Sequence, residues 1–303
     1  MKTLYYLVAR NCKLFYKDKG LFFSSLIAPL ILMFLFFAFL GNVYRDSLMD
    51  ILPEGVEVEK RLVEGFAGGW LMSSLLAVCT VTIAFTANLM MVQDKVTGRI
   101  NDFAVSPVSK RLVALGYYLS TALVTLCICL IAMFVGFIYL AAVGWYLSAS
   151  DVFLIILDTV LLTLFGTALS SIVCRFLKSQ GAITAVETVV SAAYGFLCGA
   201  YMPISSLAAV LQDVLMFLPG TYGTALMHEH FMGGAIDALG ESGIPAESLA
   251  RIRGGFDCTL SFFGSDVPAW VCYLVLAGTV ALLVAAYVLI CTLSFKKAKK
   301  KQQ

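Results

Sequence analysis

Hydrophobic positions in this chain gather into six long runs, at residues 21–40, 68–92, 112–143, 152–173, 182–201 and 269–293, with polar stretches between them. Each run is near or above the ~20 residues that a helix needs to cross a bilayer. Backbone groups in hydrocarbon must be satisfied within their own segment, and no ten-residue alternation suggests a barrel, so helices are the remaining solution. The pattern predicts an all-α polytopic membrane protein with six transmembrane helices in one domain over residues 1–303. The first run exceeds the ~7–15 apolar residues of a secretory signal and has a long polar approach, so it is expected to be a retained span.

Composition sharpens this picture. The chain is 60% hydrophobic and 13% charged, against roughly 45–50% and about 25% in soluble domains. Lipid is the main solvent, which excludes most soluble functions. Of the 21 Lys and Arg residues, 16 fall before the first run, between the second and third, between the fourth and fifth, or after the sixth. The positive-inside bias therefore predicts a multi-pass protein of the cell membrane with both termini cytoplasmic. Asp46, Asp50, Glu54, Glu57, Glu59 and Glu64 crowd the first outer loop.

Two segments too polar to cross carry helical periodicity. In residues 1–20, Leu4, Leu7, Val8, Leu14 and Phe15 fall on one side of a helical wheel, and Lys2, Arg10, Lys13 and Lys17 on the other. This predicts an amphipathic interfacial helix, its apolar stripe at the headgroup boundary and its basic face toward anionic lipid or a cytosolic partner. In residues 93–111, Val96, Ile100, Phe103 and Ala104 stand at i, i+4, i+7 and i+8. Ser106 precedes Pro107 and is driven out of helical geometry, so a helix of about ten residues should stop there.

The run GRINDFAVSP, residues 98–107, resembles the cytosolic motif of the type 2 ABC-transporter permease family, a Gly followed by an apolar pair and Ser-Pro. In that family the segment is the coupling helix, which docks on the ATP-binding subunit and passes its motion to the spans. The resemblance implies that Val96, Ile100 and Phe103 are docking knobs and that Gly98 and Pro107 set the ends of the helix. Where family members often carry Glu shortly before the Gly, this chain has Gln93 and Asp94. A second stretch, GAYMPISSLAAVLQDVLMFLPGTYGTALM at residues 199–227, is similar to the family's segment of Gly, Pro, an amphipathic run and another Pro leading to a Tyr. Its apolar stripe from Leu207 to Leu218 is too short to span, and the family implies a re-entrant hairpin within an outer loop at 202–268. The rest of that loop, with IRGGFDCTLSFFG, resembles drug-export or antibiotic-resistance branches.

Polar residues inside the spans are the candidates for a translocation pathway. Asp158 and Glu187 interrupt spans four and five, and intramembrane ionisable groups are functional candidates by default. Asn88 in span two can join helices through hydrogen bonds. Gly195 and Gly199 form a GxxxG that allows close helix approach, and since family members work as permease pairs, this places span five at a dimer seam. His228, Glu229 and His230 lack the four-residue His spacing of a zinc helix, so no metal site is expected. The cysteines, including Cys127 and Cys129, read as small apolar packing residues. Lys296, Lys297, Lys299, Lys300 and Lys301 form a basic tail suited to anionic lipid.

No GxxxxGK[ST] phosphate loop and no nucleophile-base constellation occurs. The chain is therefore expected to be non-catalytic and to hold no cofactor; the family resemblance implies ATP and Mg on a separate partner ATPase, present in two copies beside a second permease. The expected function is the membrane subunit of an ATP-driven exporter of hydrophobic or amphipathic compounds, antibiotics included. An exporter of polysaccharide or lipid-linked polymer is the alternative within the class. A proton-coupled transporter using Asp158 and Glu187 is the alternative outside it.

Overall fold

The computed structural model describes residues 2–35, 40–53, 58–106 and 108–300, and they are overwhelmingly helical. Glu54, Glu57, Pro107 and Lys301 lie outside the described residues. Helix α1 (Lys2–Lys17) leads into α2 (Lys19–Leu35) and α3 (Gly41–Ile51), then the long helix α4 (Lys60–Val96) and the short α5 (Ile100–Val105). Helices α6 (Lys110–Val143), α7 (Ala149–Phe176) and α8 (Gln180–Leu197) follow. The remainder comprises α9 (Ala209–Leu215), α10 (Pro219–Glu241), α11 (Ala246–Gly255), a hairpin of β1 (Leu260–Phe262) and β2 (Ser265–Val267), and α12 (Ala269–Lys300).

Helix α4 is the axis of the bundle. Every residue from 65 to 88 is buried, because α2, α3, α6, α7, α8 and α10 all pack on it. A helix apolar on all sides has no water-facing stripe and is stable only when sheathed in this way. Close approach depends on small residues. A Cβ on Gly166 of α7 would lie 2.6 Å from the Thr80 carbonyl oxygen, and one on Gly69 would lie 2.7 Å from the Phe231 carbonyl oxygen of α10. Asn88 ties three helices together: its amide donates to Ser170 Oγ at 2.6 Å and Ser171 Oγ at 3.2 Å on α7, and its carbonyl accepts from Thr121 Oγ1 of α6 at 3.2 Å.

Four helices, α4, α6, α7 and the Ala269–Leu293 part of α12, are long and apolar enough to cross a membrane. They divide by exposure. In its most apolar stretch α4 is 94% buried, whereas α6 is 28% and α12 only 17% buried, so the latter two present bare apolar flanks. Helix α2 is shorter and contains Pro29, and α8 has only 18 residues with Glu187 among them.

Three local structures differ from the sequence expectations. The stripe of α1 rests on α6 rather than facing outward: Leu7 lies against Gly116, and Asn11 donates to Ser120 Oγ at 3.2 Å. Lys2, Lys13 and Lys17 are exposed as expected, but Arg10 turns inward. The segment between Pro203 and Pro219 folds as a 3-10 turn and the seven-residue α9, leaving Val210, Val214 and Phe217 exposed. The buried piece is the next helix, α10, which packs against α4, α7 and α12.

The α4–α7 crossing yields a direct test. Gly166→Ala forces a backbone shift, costing about 1–3 kcal/mol, and should lower the melting temperature of the purified protein in detergent. Gly181 has nothing within 4 Å of its would-be Cβ, so Gly181→Ala should leave melting unchanged or raise it. Equal melting of the two variants would refute the close crossing.

Candidate functional site

The C-terminal end of α4 is where the chain concentrates charge against a helix otherwise closed to water. Helix α4 runs to Val96, where Thr97 turns back onto it with Oγ1 donating to the Gln93 carbonyl at 2.8 Å. Gly98 follows at φ +76°, a left-handed conformation that favours glycine. Helix α5 starts at Ile100 and ends at Val105, and Ser106 is extended at φ −80° and ψ 156°, as the residue before a proline should be. Helix α5 is thus six residues long, shorter than its periodicity predicts, because the Gly98 turn breaks the run.

That break separates the expected docking residues. Val96 belongs to the end of α4 and is exposed, while Ile100 and Phe103 lie beyond the turn and are half-buried. Phe103 packs on the hydrophobic core, with the Arg10 guanidinium 5.5 Å from its ring centroid, a cation–π distance.

Asp94 organises this junction. Its side chain is only 2% exposed. Arg10 of α1 donates Nη1 to Asp94 Oδ2 at 2.9 Å and Nη2 to Oδ1 at 3.4 Å. Tyr117 of α6 donates its hydroxyl to Asp94 Oδ2 at 2.7 Å, and Arg99 lies 3.8 Å away at the entrance to α5. Burial alone would lower the Arg10 pKa, but the Asp94 carboxylate outweighs it and the value rises. One residue on, Lys95 Nζ donates to the Cys174 and Arg175 carbonyls at 2.8 and 3.0 Å, capping the C-terminus of α7 where a cation is favoured. Two adjacent residues therefore bind α4 to α1, α6 and α7 directly above α5.

The intramembrane candidates occupy separate places. Asp158 of α7 pairs through Oδ2 with His230 Nδ1 of α10 at 2.6 Å, and its Oδ1 is buried without a partner. Glu187 of α8 accepts a hydrogen bond from Thr86 of α4. No hydrogen bond joins the two carboxylates among the described residues. Asn88 is engaged in the three-helix tie already described. Gly195 and Gly199 do not form one strip: α8 ends at Leu197, Gly199 lies beyond it at φ +81°, and the Tyr201 ring fills the space over Gly195.

On the opposite side, Asp257 secures the turn that follows α8. Its carboxylate accepts the backbone N–H of Ile204 and, at 3.1 Å, that of Ser205. Burial pushes its pKa up to about 6, although those hydrogen bonds pull the other way. Arg253 beside it pairs with Glu229 and, at 2.7 Å, with Asp237. His228 stacks on Trp70 with ring centroids 4.1 Å apart.

The family profile described as ABC-2 type transporter matches residues 2–231. The chain belongs to the ABC-2 type transporter family. It is a membrane-embedded permease subunit of an ABC transporter, and membership implies partnership with ATP-binding subunits. No curated protein matches the chain. The ABC-2 match includes the Asp94 junction and most of α10, and it stops before α11, the hairpin and α12.

Sequence periodicity missed three residues of the permease that the fold brings into play. Arg10 carried a signal, since it stands three residues from Leu7 and four from Leu14 and so borders the apolar stripe. His230 and Asp257 carried none, because their partners lie far away in sequence.

Two outcomes follow. A double-mutant cycle of Arg10→Gln and Asp94→Asn, read by thermal unfolding in detergent, should give a coupling of about 1–3 kcal/mol; additive effects would show that the pair is not formed. Because Asp257 holds its proton more tightly when folded, its contribution to stability falls as pH rises from about 4 to about 6. Melting measured at both ends of that window should change less in Asp257→Asn than in the parent, and identical profiles would contradict the burial of this carboxylate.

Proposed function

We propose that this permease is the membrane half of an ATP-driven exporter, with α5 as the coupling helix that receives the stroke of a partner ATPase. The observation that carries the reading is the Asp94–Lys95 junction: a short cytosolic helix leaves α4 at the point where α4 is bonded to α1, α6 and α7. A push on α5 then reaches four helices at once instead of bending a free loop. Val96 is the exposed apolar residue at this corner, Ile100 is half-buried at the start of α5, and Phe103 serves chiefly to seat α5 against Arg10.

In this reading the complex contains two ATP-binding subunits, which hold ATP and Mg, and a second permease. The chain crosses six times, with α2 and α8 joining the four long apolar helices, and both termini are cytoplasmic; the distribution of Lys and Arg supports this orientation. Helix α10 is the re-entrant element. Its Gly220 lies against Tyr194 of α8, its Gly223 against Leu162 of α7, and its Gly234 against Tyr146 in the α6–α7 connection. This course from mid-height of α7 to its outer loop supports a segment that enters the membrane and returns. Asp158 and Glu187 lie along the pathway as polar contacts, and hydrophobic or amphipathic compounds are the cargo, a class suited to lateral entry between the bare flanks of α6 and α12.

Copurification tests the coupling assignment. With the ATP-binding partner coexpressed, Ile100→Asp should reduce its recovery about tenfold, the effect of ~1.4 kcal/mol, with a smaller drop in melting than Phe103→Asp. Phe103→Asp should lower both recovery and melting. Full recovery of the ATPase with Ile100→Asp would remove α5 as the dock.

A further inference from the structure

Beyond the core around α4 lies a second, smaller hydrophobic cluster. Leu215 and Met216 at the end of α9, Leu260 of β1 and Cys272 of α12 are buried together, with Phe262 and Val267 packed against them. This cluster, which also takes in Ile204 and Tyr222, Ala225 and Leu226 of α10, joins α9, the hairpin and the first turn of α12. Asp213 of α9 reinforces it by accepting the Phe263 N–H at 3.2 Å, and the Phe217 and Phe262 rings meet edge to face at 5.5 Å.

The unit is two-faced. One side borders a cavity of about 360 Å³ whose lining includes Gln212, Arg253, Asp257, Ser261 and Asp266. The other side carries Val210 and Val214 of α9, Phe217 in the turn that follows it, Phe263 at the hairpin tip, and Trp270 and Leu274 of α12, all more than half exposed and none charged. Val210 and Val214, four residues apart, share one face of α9. Phe263 holds φ +48° beside Gly264 at φ +75°, in a two-residue hairpin turn where Asn or Gly is usual. A bulky aromatic in that conformation is an outlier, and such outliers point to a role for the side chain itself.

What covers this face follows from its continuity with α12. Trp270 and Leu274 begin an exposed stripe that continues through Leu282, Leu289 and Leu293 along a membrane-crossing helix. Trp is enriched at the membrane–water boundary, and the α9 and Phe263 surface is rigidly attached beside it. We infer that α9, the β1–β2 hairpin and the first turns of α12 form an amphipathic unit seated in the outer leaflet, with Val210, Val214, Phe217 and Phe263 against lipid and the polar cavity facing the protein. The unit thus gives the outer end of the pathway a lipid-anchored rim. This inference rests on α12 crossing the membrane.

Tryptophan quenching in proteoliposomes of phosphatidylcholine brominated high on the acyl chain tests it. The chain has three Trp residues, and the loss of quenchable emission in Trp270→Phe gives the signal of Trp270 alone. In that background, Phe217→Trp and Phe263→Trp should each restore a brominated-lipid quenching equal to that of Trp270, with unchanged melting. Quenching by aqueous iodide but not by brominated lipid would overturn the inference in favour of a water-facing patch. Protection from both quenchers would overturn it in favour of a second copy or another protein covering the face. If Trp270 itself is not quenched by brominated lipid, the crossing of α12 fails and the inference fails with it, an outcome distinct from loss of signal at 217 and 263 alone.

Discussion

Sheathing a helix on every side removes water as a hydrogen-bond partner, and α4 is sheathed without interruption from residue 65 to residue 88. Thr80 and Thr82 turn back onto carbonyls of α4 itself, and the polar side chains that follow them are answered by neighbouring helices. Thr86 reaches Glu187, Asn88 reaches Thr121, Ser170 and Ser171, Asp94 meets Arg10 and Tyr117, and Lys95 caps α7. Leaving any of these unmet would cost about 1–3 kcal/mol. The same groups that satisfy α4 consequently fix the order of its neighbours around it: α8 and α7 deeper in, then α6, α1 and the end of α7 at its C-terminal end. Apolar packing makes α4 central, and polar pairing decides what stands where.

The C-terminal end of α4 is the effective place for the charged part of this arrangement. A carboxylate deep in the bundle would face the full penalty of desolvation, whereas Asp94 lies where Arg10 is one-third exposed and able to keep part of its hydration. Charge-assisted bonds in such partly screened surroundings are stronger than neutral ones and still affordable. The left-handed Gly98 immediately below gives α5 its own direction while leaving it a few residues from Asp94 and Lys95. Gly98 thus separates an end of α4 that is bonded to three helices from a short helix with its own direction.

Much of this was legible because it rests on short-range rules. The long apolar helices follow from run length, the end of α5 follows from Ser106 preceding Pro107, and the amphipathic α1 follows from a wheel. Long-range partners escaped. The stripe of α1 reads equally well against lipid or protein, and only Gly116 on α6, which leaves room for Leu7, decides between them. Helix α10 was hidden for a related reason: it mixes His228, Glu229 and His230 with glycines, a composition that resembles an outer loop until Trp70, Asp158 and Arg253 are found to partner those residues. The Gly195 and Gly199 spacing misled because periodicity assumes a continuous helix, and α8 stops between them.

The two ends of the bundle differ in how completely their polar groups are matched. At the inner end both oxygens of Asp94 have partners. Around α10, by contrast, Asp158 Oδ1, His228 Nδ1, Glu229 Oε2 and the Trp70 indole nitrogen are buried without partners among the described residues. Unmatched polar atoms in a low-dielectric interior weaken the seam that holds them, so α10 is held mainly by shape, through glycines such as Gly220 and Gly223 fitting against Tyr194 and Leu162. Sliding α4 against α1 and α6 would break several charge-assisted bonds, whereas shifting α10 against α4 and α7 would break few beyond the Asp158–His230 pair. The energetic contrast sets where the bundle resists displacement: α1, α4 and α6 hold together as a bonded group at Asp94, and the seam of α10 resists least.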